Sequence, residues 1–204
     1  MRAPTTARWM NDDEWEIVTR VFTSDKLPYK QRIFVTDALG AYNAPFTIPT
    51  SLVSSLPAVL ASGFGGGLIG GPAGAALAGM VGGAVSYILS AVNAGYLMNV
   101  GTAAQQNMAT YDPDLLVHET AHVWQGRNST FALTYTIESA LNQCAGIAGG
   151  SGRGAAYAYT PGHAWSSYNP EQQAKIVEHW YAAGEPTSGA LWPYVRDYVR
   201  RGIV

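Results

Sequence analysis

Between residues 112 and 126 the apolar positions Leu115, Leu116, Val117, Val123 and Trp124 enclose three polar ones, His118, Glu119 and His122. Asp112 before Pro113 is a cap followed by a residue suited to the first helical position, where a missing N–H costs nothing. Gly126 suits the position just past a helix end. The pattern predicts a helix of about three turns whose polar side chains lie inside its apolar stretch and are drawn out of water. Four other stretches carry similar punctuation. Asn11-Asp12-Asp13-Glu14 reads as a capping box, followed by Trp15, Val18 and Phe22 at helical spacing, with an end near Thr23. Arg32–Thr36 predicts a strand, and Pro45–Pro49 a second extended piece. Asn169-Pro170-Glu171-Gln172 predicts another boxed helix start, running to Ala183 and stopping at Gly184.

The remaining pattern is weaker. A helix from Ser129 or Thr130 carries Phe131, Leu133, Ile137 and Leu141, with Arg127-Asn128 as the link before it. Gly149–Gly154 reads as a loop, and Ala155–Thr160, with Tyr157 and Tyr159 on one face, as a strand or extended loop. A last helix over about residues 188–201 packs through Leu191, Tyr194, Val195 and Tyr198, leaving Arg196, Arg200 and Arg201 as a solvated face.

From Ala38 to Tyr111 the chain has no Asp, Glu, Lys, Arg or His. Within that stretch small residues recur every four positions, in one column at Gly63, Gly67, Gly71, Ala75, Gly79 and Gly83 and in another at Gly66, Gly70, Gly74, Ala78 and Gly82. Such spacing lets helix backbones approach closely, as in membrane helix pairs. Pro72 interrupts a single helix, so the expectation is a hairpin with arms near 56–70 and 73–98. Two readings stand: insertion of residues 56–98 into a membrane or a protein partner, or a tightly packed soluble hairpin or mobile glycine-rich loop. The length of 204 residues suits one domain, 1–204, carrying this glycine-rich apolar insertion.

A formal charge of −2 without a Lys/Arg cluster argues against nucleic acid as a partner. Cys144 is the single cysteine, which excludes an intrachain disulfide and a cysteine-based zinc site. Met1–Glu16 has no apolar core of a Sec-type signal, so synthesis in the cytoplasm is expected, with any export by another route.

The chemistry lies in His118-Glu119-Thr120-Ala121-His122. Residues four apart share a helical face, so two imidazoles converge on one cation while Glu119 holds a water beside it and takes its proton. This is the zinc-peptidase pattern HExxH. A catalytic zinc takes three protein ligands. The longer pattern HExxHxxGxxH would need Gly and His where Gln125 and Asn128 stand. The remaining candidates are Glu171, His163, Glu138, Glu178 and His179. Glu171 is favoured because Asn169, Pro170 and Gln172 fix the direction of its helix start, with Gln172 and Gln173 as supporting donors. His163 is the runner-up. Stabilisation of an oxyanion falls to Tyr159, His163 or Tyr168, among which the sequence does not choose.

The segments Leu116–Gln125 and Tyr168–Val177 resemble the Vgr-related group of bacterial proteins, assigned as small zinc metallopeptidases and encoded near type VI secretion and other contractile injection systems. The resemblance implies a zincin-like fold of α+β class, mostly helical with a small sheet. It implies Zn²⁺ held by His118, His122 and, by similarity to gluzincins, Glu171, with Glu119 as general base acting on a peptide or protein substrate. A bacterial effector exported by such a system is the matching expectation. The alternative is a membrane-inserting or binding module of an injection apparatus, with a structural or inactive metal site.

Overall fold

A computed structural model describes residues 6–37, 45–50, 95–129 and 157–204. Among them the fold is α+β: mostly helices, with one small mixed sheet of four strands. The strands are β1 (Ala7–Trp9), β2 (Ile33–Thr36), β3 (Phe46–Pro49) and β4 (Tyr96–Asn99), in the order β1-β2-β4-β3. β2 and β4 run parallel, while β1 and β3 are antiparallel to their neighbours, with Leu97 opposite both Phe34 and Ile48. The described helices are α1 (Asp12–Phe22), the single turn α2 (Met108–Tyr111), α3 (Pro113–Asn128), α4 (Pro170–Ala182) and the short α5 (Trp192–Asp197). α3 is central, packing on α4, α1 and β3.

The helix starts follow the sequence. Asn11 and Glu14 form a reciprocal capping box, and α1 ends with Thr23 as its cap. Asn169 and Gln172 form the second box at the start of α4, which ends at Ala182 with Gly184 in the left-handed region (φ +84°). Asp112 accepts from the Leu115 N–H at the start of α3. The predicted strands at 32–36 and 45–49 appear as β2 and β3.

Three boundaries differ from expectation. α3 runs past Gly126 to Asn128, with Ser129 as its C-terminal cap. Gly126 is there for space, not to stop the helix: a Cβ on it would lie 2.8 Å from the Tyr96 ring. The second arm expected over 73–98 does not reach Met98, because Tyr96–Asn99 form β4, an interior strand paired on both sides. Interior strands buried on both faces read as continuous apolar runs, which is why β4 blends into the glycine-rich segment before it. The last helix is shortened to α5 and a 3₁₀ turn over Val199–Arg201. Pro193 is tolerated only in a first helical turn, and Gly189 upstream has φ +85°. Arg200 is not on a solvated face: its guanidinium lies over Trp180 and Trp192, 5.7 and 5.2 Å from the ring centroids. Of the two alternatives for 155–160, the described residues Ala158–Thr160 are irregular, as the loop alternative has it, while Tyr157 is helical.

Most of the glycine-rich hairpin (56–94), the helix expected after Ser129, Glu138, Cys144 and the loop at 149–154 lie outside the described residues. Among the described residues, no helix is long and apolar enough to cross a membrane.

The box at the start of α1 also ties the sheet to the entrance of α3. Glu14 is fully buried. Its carboxylate accepts from both terminal nitrogens of Arg8 at 2.6 and 2.8 Å, from the Asn11 N–H at 2.9 Å and from the Met108 N–H at 3.0 Å. Burial alone would raise its pKa, but the Arg8 bonds and the two backbone donors outweigh that and lower it. A lowered carboxylate pKa stabilises the fold above the group's ordinary value, and the contribution is lost as pH falls through the folded-state value. Glu14→Gln keeps the shape but loses the charge-assisted bonds. It is expected to cost about 2–3 kcal/mol and to flatten the acid side of the stability–pH curve in denaturant titrations.

Candidate metal centre

α3 and α4 meet along a face that buries His118, Glu119 and His122 on one helix and Glu171 on the other. The 3.6-residue turn brings the two imidazoles together, their ring centroids 5.2 Å apart. Glu171 stands in the first turn of α4, its direction fixed by the Asn169–Gln172 box. Its Oε2 lies 3.3 Å from His118 Nε2 and 3.4 Å from His122 Nε2. One ligand atom from each of the three residues falls within 4.8 Å of the others, and all three residues are buried, so the group could hold a metal ion. Glu171 is completely buried, while His118 and His122 are each 7% exposed.

The outer nitrogens decide which ring atoms are available. His118 Nδ1 lies 2.9 Å from Glu178 Oε2, and an ionised carboxylate can only accept, so Nδ1 carries the proton. Glu178 is seven residues after Glu171 on the same helix, nearly two full turns, and so faces the same way; its other oxygen pairs with Lys175. His122 Nδ1 lies 2.9 Å from Gln125 Oε1. The Gln125 amide nitrogen donates to the carbonyl of Pro170 and to Gln173 Oε1, both at 3.0 Å, and Gln173 donates in turn to the Trp165 carbonyl. That chain fixes Gln125 as acceptor toward His122. Both Nε2 atoms therefore face Glu171 as ligands would. Among the described residues His122 Nε2 is buried without a well-formed hydrogen bond, its near neighbour being Glu171 Oε2 at 3.4 Å, and a metal ion between the two would satisfy both.

In the metal-free chain the charges sort themselves. Burial favours neutral His118, yet the hydrogen bonds it donates to Glu171 and Glu178 outweigh that and raise its pKa to about 10. For His122 burial is opposed by the negative charge of Glu171, and the net direction is again upward. Glu171 is pushed up by burial and pulled down further by His122 and His118, ending well below the usual carboxylate range. Glu119 differs. Burial raises its pKa, and His122 and His118 pull it back only in part. Its Oε2 accepts from Thr47 Oγ1 at 2.7 Å, across from β3.

The structure thus brings together His118, Glu119, His122 and Glu171 as expected. It places Glu178 behind His118 rather than in the third ligand position, and His179 against the Tyr159 hydroxyl at 2.8 Å. Gln173 supports the site through Gln125, but Gln172 is spent on its capping box and the Ala158 carbonyl. His163 is exposed. With Tyr159 and Tyr168 it lines a separate concavity of about 460 Å³. The Tyr168 hydroxyl holds the 160–163 loop, donating to the Thr160 carbonyl at 2.7 Å and accepting from the His163 N–H at 3.2 Å. The tyrosine against the histidines is Tyr157, whose ring lies 5.8 Å from that of His118. Gln125 was legible, three residues after His122 on its own helix. Glu178 was among the ligand candidates, and its spacing to Glu171 puts it on the same face, but its supporting place behind His118 was not legible. Nothing in the sequence pointed to Thr47.

Comparison with family models, curated proteins and solved structures finds no match to this chain.

Two measurements check the centre, with Zn²⁺ and Co²⁺ as probes. Glu171→Ala is expected to weaken binding more than about 100-fold, since even outer-shell partners are worth about 10–100-fold; His163→Ala is expected to leave it unchanged. Because His118 holds a proton up to about pH 10 in the metal-free chain, binding must displace it. Apparent affinity should then rise at least about tenfold per pH unit across the neutral range, more steeply wherever His122 is protonated too, with proton release visible in calorimetry. The same raised pKa stabilises the metal-free fold below the ordinary histidine value, a contribution lost as pH climbs through about 10.

Proposed function

We propose that this chain is a zinc-dependent metallopeptidase with a zincin-like fold. The observation that carries the reading is that Glu119 is buried beside the His118–His122–Glu171 group but is not one of its three members. A structural metal site has no use for a fourth, adjacent carboxylate, whereas peptide hydrolysis needs one.

Zinc is favoured by the donor set and its spacing. Two imidazoles and one carboxylate are a familiar catalytic zinc set, with bonds of about 2.0–2.2 Å that put tetrahedral ligands roughly 3.3–3.5 Å apart. The Nε2–Oε2 separations of 3.3 and 3.4 Å agree with that edge. The zincin-like assignment is supported by the mixed sheet, whose antiparallel outer strand β3 packs on the helix carrying His118 and His122.

When bound, zinc supplies Lewis acidity, lowering the pKa of water and polarising a carbonyl. The protein's own groups do the rest. Glu178 and Gln125 hold the two imidazoles so that neither rotates. Glu119, its pKa raised by burial, takes a proton from the attacking water and delivers it to the departing amine, so the carboxylate is unchanged at the end of the cycle. Its surroundings suit proton transfer in both directions. A carboxyl poised upward is a better base than an exposed one, and the two histidines keep it from becoming permanently protonated. Delivery through a contractile injection system belongs to this proposal on the resemblance over 116–125 and 168–177 alone.

The test uses the zinc-loaded full chain on a quenched-fluorescence peptide library. The wild type should cleave. Glu119→Gln should lower turnover by about 10²–10⁴-fold while retaining metal at the wild-type stoichiometry. Wild-type turnover in Glu119→Gln would remove the general base from the account. A metal-loaded wild type that cleaves no library member would favour a structural or binding site.

A further inference from the structure

β3 reaches the metal centre through a single described hydrogen bond, and it goes to Glu119 rather than to a ligand. Thr47 is 7% exposed and stands opposite Met98 of β4 in the sheet register. Its Oγ1 lies 2.7 Å from Glu119 Oε2. An ionised carboxylate only accepts, so the hydroxyl donates. Among the described residues this is the one hydrogen bond to the Glu119 side chain. A carboxylate without such a tie can turn about its last torsion, which is broad and offers little resistance. One oxygen held by a donor stops that rotation and makes the two oxygens inequivalent, with Oε1 left to meet a water.

The donor itself is stiff. Threonine is branched at Cβ and has few side-chain conformers on a strand. Its backbone is fixed by pairing with β4, and β3 packs directly on α3. Thr47 therefore transmits the position of the sheet to the carboxylate.

We propose that Thr47 is a positioning residue for Glu119, holding Oε2 so that Oε1 is presented to the water whose proton Glu119 takes. This rests on the reading of Glu119 as the proton acceptor in peptide hydrolysis. The rival explanation is that Thr47 merely satisfies a buried carboxylate and does nothing for turnover.

The experiment compares Thr47→Val, Thr47→Ala and Thr47→Ser in the zinc-loaded full chain, using the library peptide that the wild type cuts fastest. Thr47→Val keeps the shape and removes the donor. Removing a supporting partner of this kind is expected to lower kcat by about 10–100-fold. KM should stay within about twofold, since the interaction acts on the reaction and not on substrate binding. Thr47→Ala should show the same split, which guards against a folding fault peculiar to valine, and Thr47→Ser should recover most of the lost kcat. In a Glu119→Gln background, Thr47→Val should cause no further loss, because the two side chains act as one unit. A readout independent of cleavage comes from melting the metal-free proteins. Thr47→Val should lower the melting temperature in the wild type and have no effect in a Glu119→Ala background.

Unchanged kcat in Thr47→Val, in a preparation whose wild type cleaves, would overturn the positioning role and leave Thr47 a structural partner. A rise in KM with kcat intact would overturn it too, in favour of substrate contact. Absent melting coupling would show that the hydrogen bond does not form in solution. If the wild type itself cleaves nothing, the proton-transfer reading of Glu119 fails first, and the positioning role falls with it even where the melts retain the coupling.

Discussion

Four ionisable side chains, His118, Glu119, His122 and Glu171, are buried between two helices, and this arrangement constrains everything around it. Taking such groups out of water is costly unless they are paired, hydrogen-bonded or metal-bound. Each neighbouring feature answers that cost. Glu178 and Gln125 occupy the outer nitrogens of the histidines, and the boxed start of α4 aims Glu171 between the inner ones. Thr47 ties down one oxygen of Glu119. Among the described residues His122 Nε2 is buried without a well-formed hydrogen bond and lies 3.4 Å from Glu171 Oε2. A centre made only for stability would more simply be apolar, because replacing buried ion pairs with packed hydrophobic residues is often neutral or favourable.

The scaffold is arranged to hold that face rigid. Trp124 of α3 packs against Phe22 of α1 and Trp165, with ring centroids 6.4 Å apart in both cases. Trp165 also stacks on Tyr198 and receives Gln173 through its backbone carbonyl. The aromatic core and the hydrogen-bond chain behind His122 therefore share a residue. On the other side, Arg8 and Glu14 join β1 and α1 to the turn that feeds α3. Gly126 lets β4 approach the same helix at Tyr96.

What the sequence disclosed and what it hid divide along a physical line. Interactions local in the chain were legible: the two capping boxes, the histidines four apart, and Glu171 in a first helical turn. Short-range signals also misled where tertiary packing took over. Gly126 looked like a helix stop, but is a contact with Tyr96 from a strand thirty positions earlier in the chain. Tyr96–Asn99 read as the tail of an apolar helix because an interior strand has no polar face to give it away. Thr47 and Glu119 are separated by 72 residues, and a single threonine on a short strand carries no pattern. Glu178 lay between these extremes. Its helical phase with Glu171 was visible, but whether it ligates or supports could be decided only from where His118 Nδ1 points.

The central claim is the identity of the three ligands, and zinc K-edge X-ray absorption on the loaded chain reads them directly. Two imidazole nitrogens are expected at about 2.0–2.1 Å and a carboxylate oxygen at about 2.0–2.2 Å, with a further light atom completing four-coordination. The Glu171→Ala protein should lose the carboxylate contribution. A shell of three imidazoles, or one carrying a sulfur scatterer at about 2.3 Å, would contradict the assignment of Glu171 and with it the account of how α3 and α4 come together.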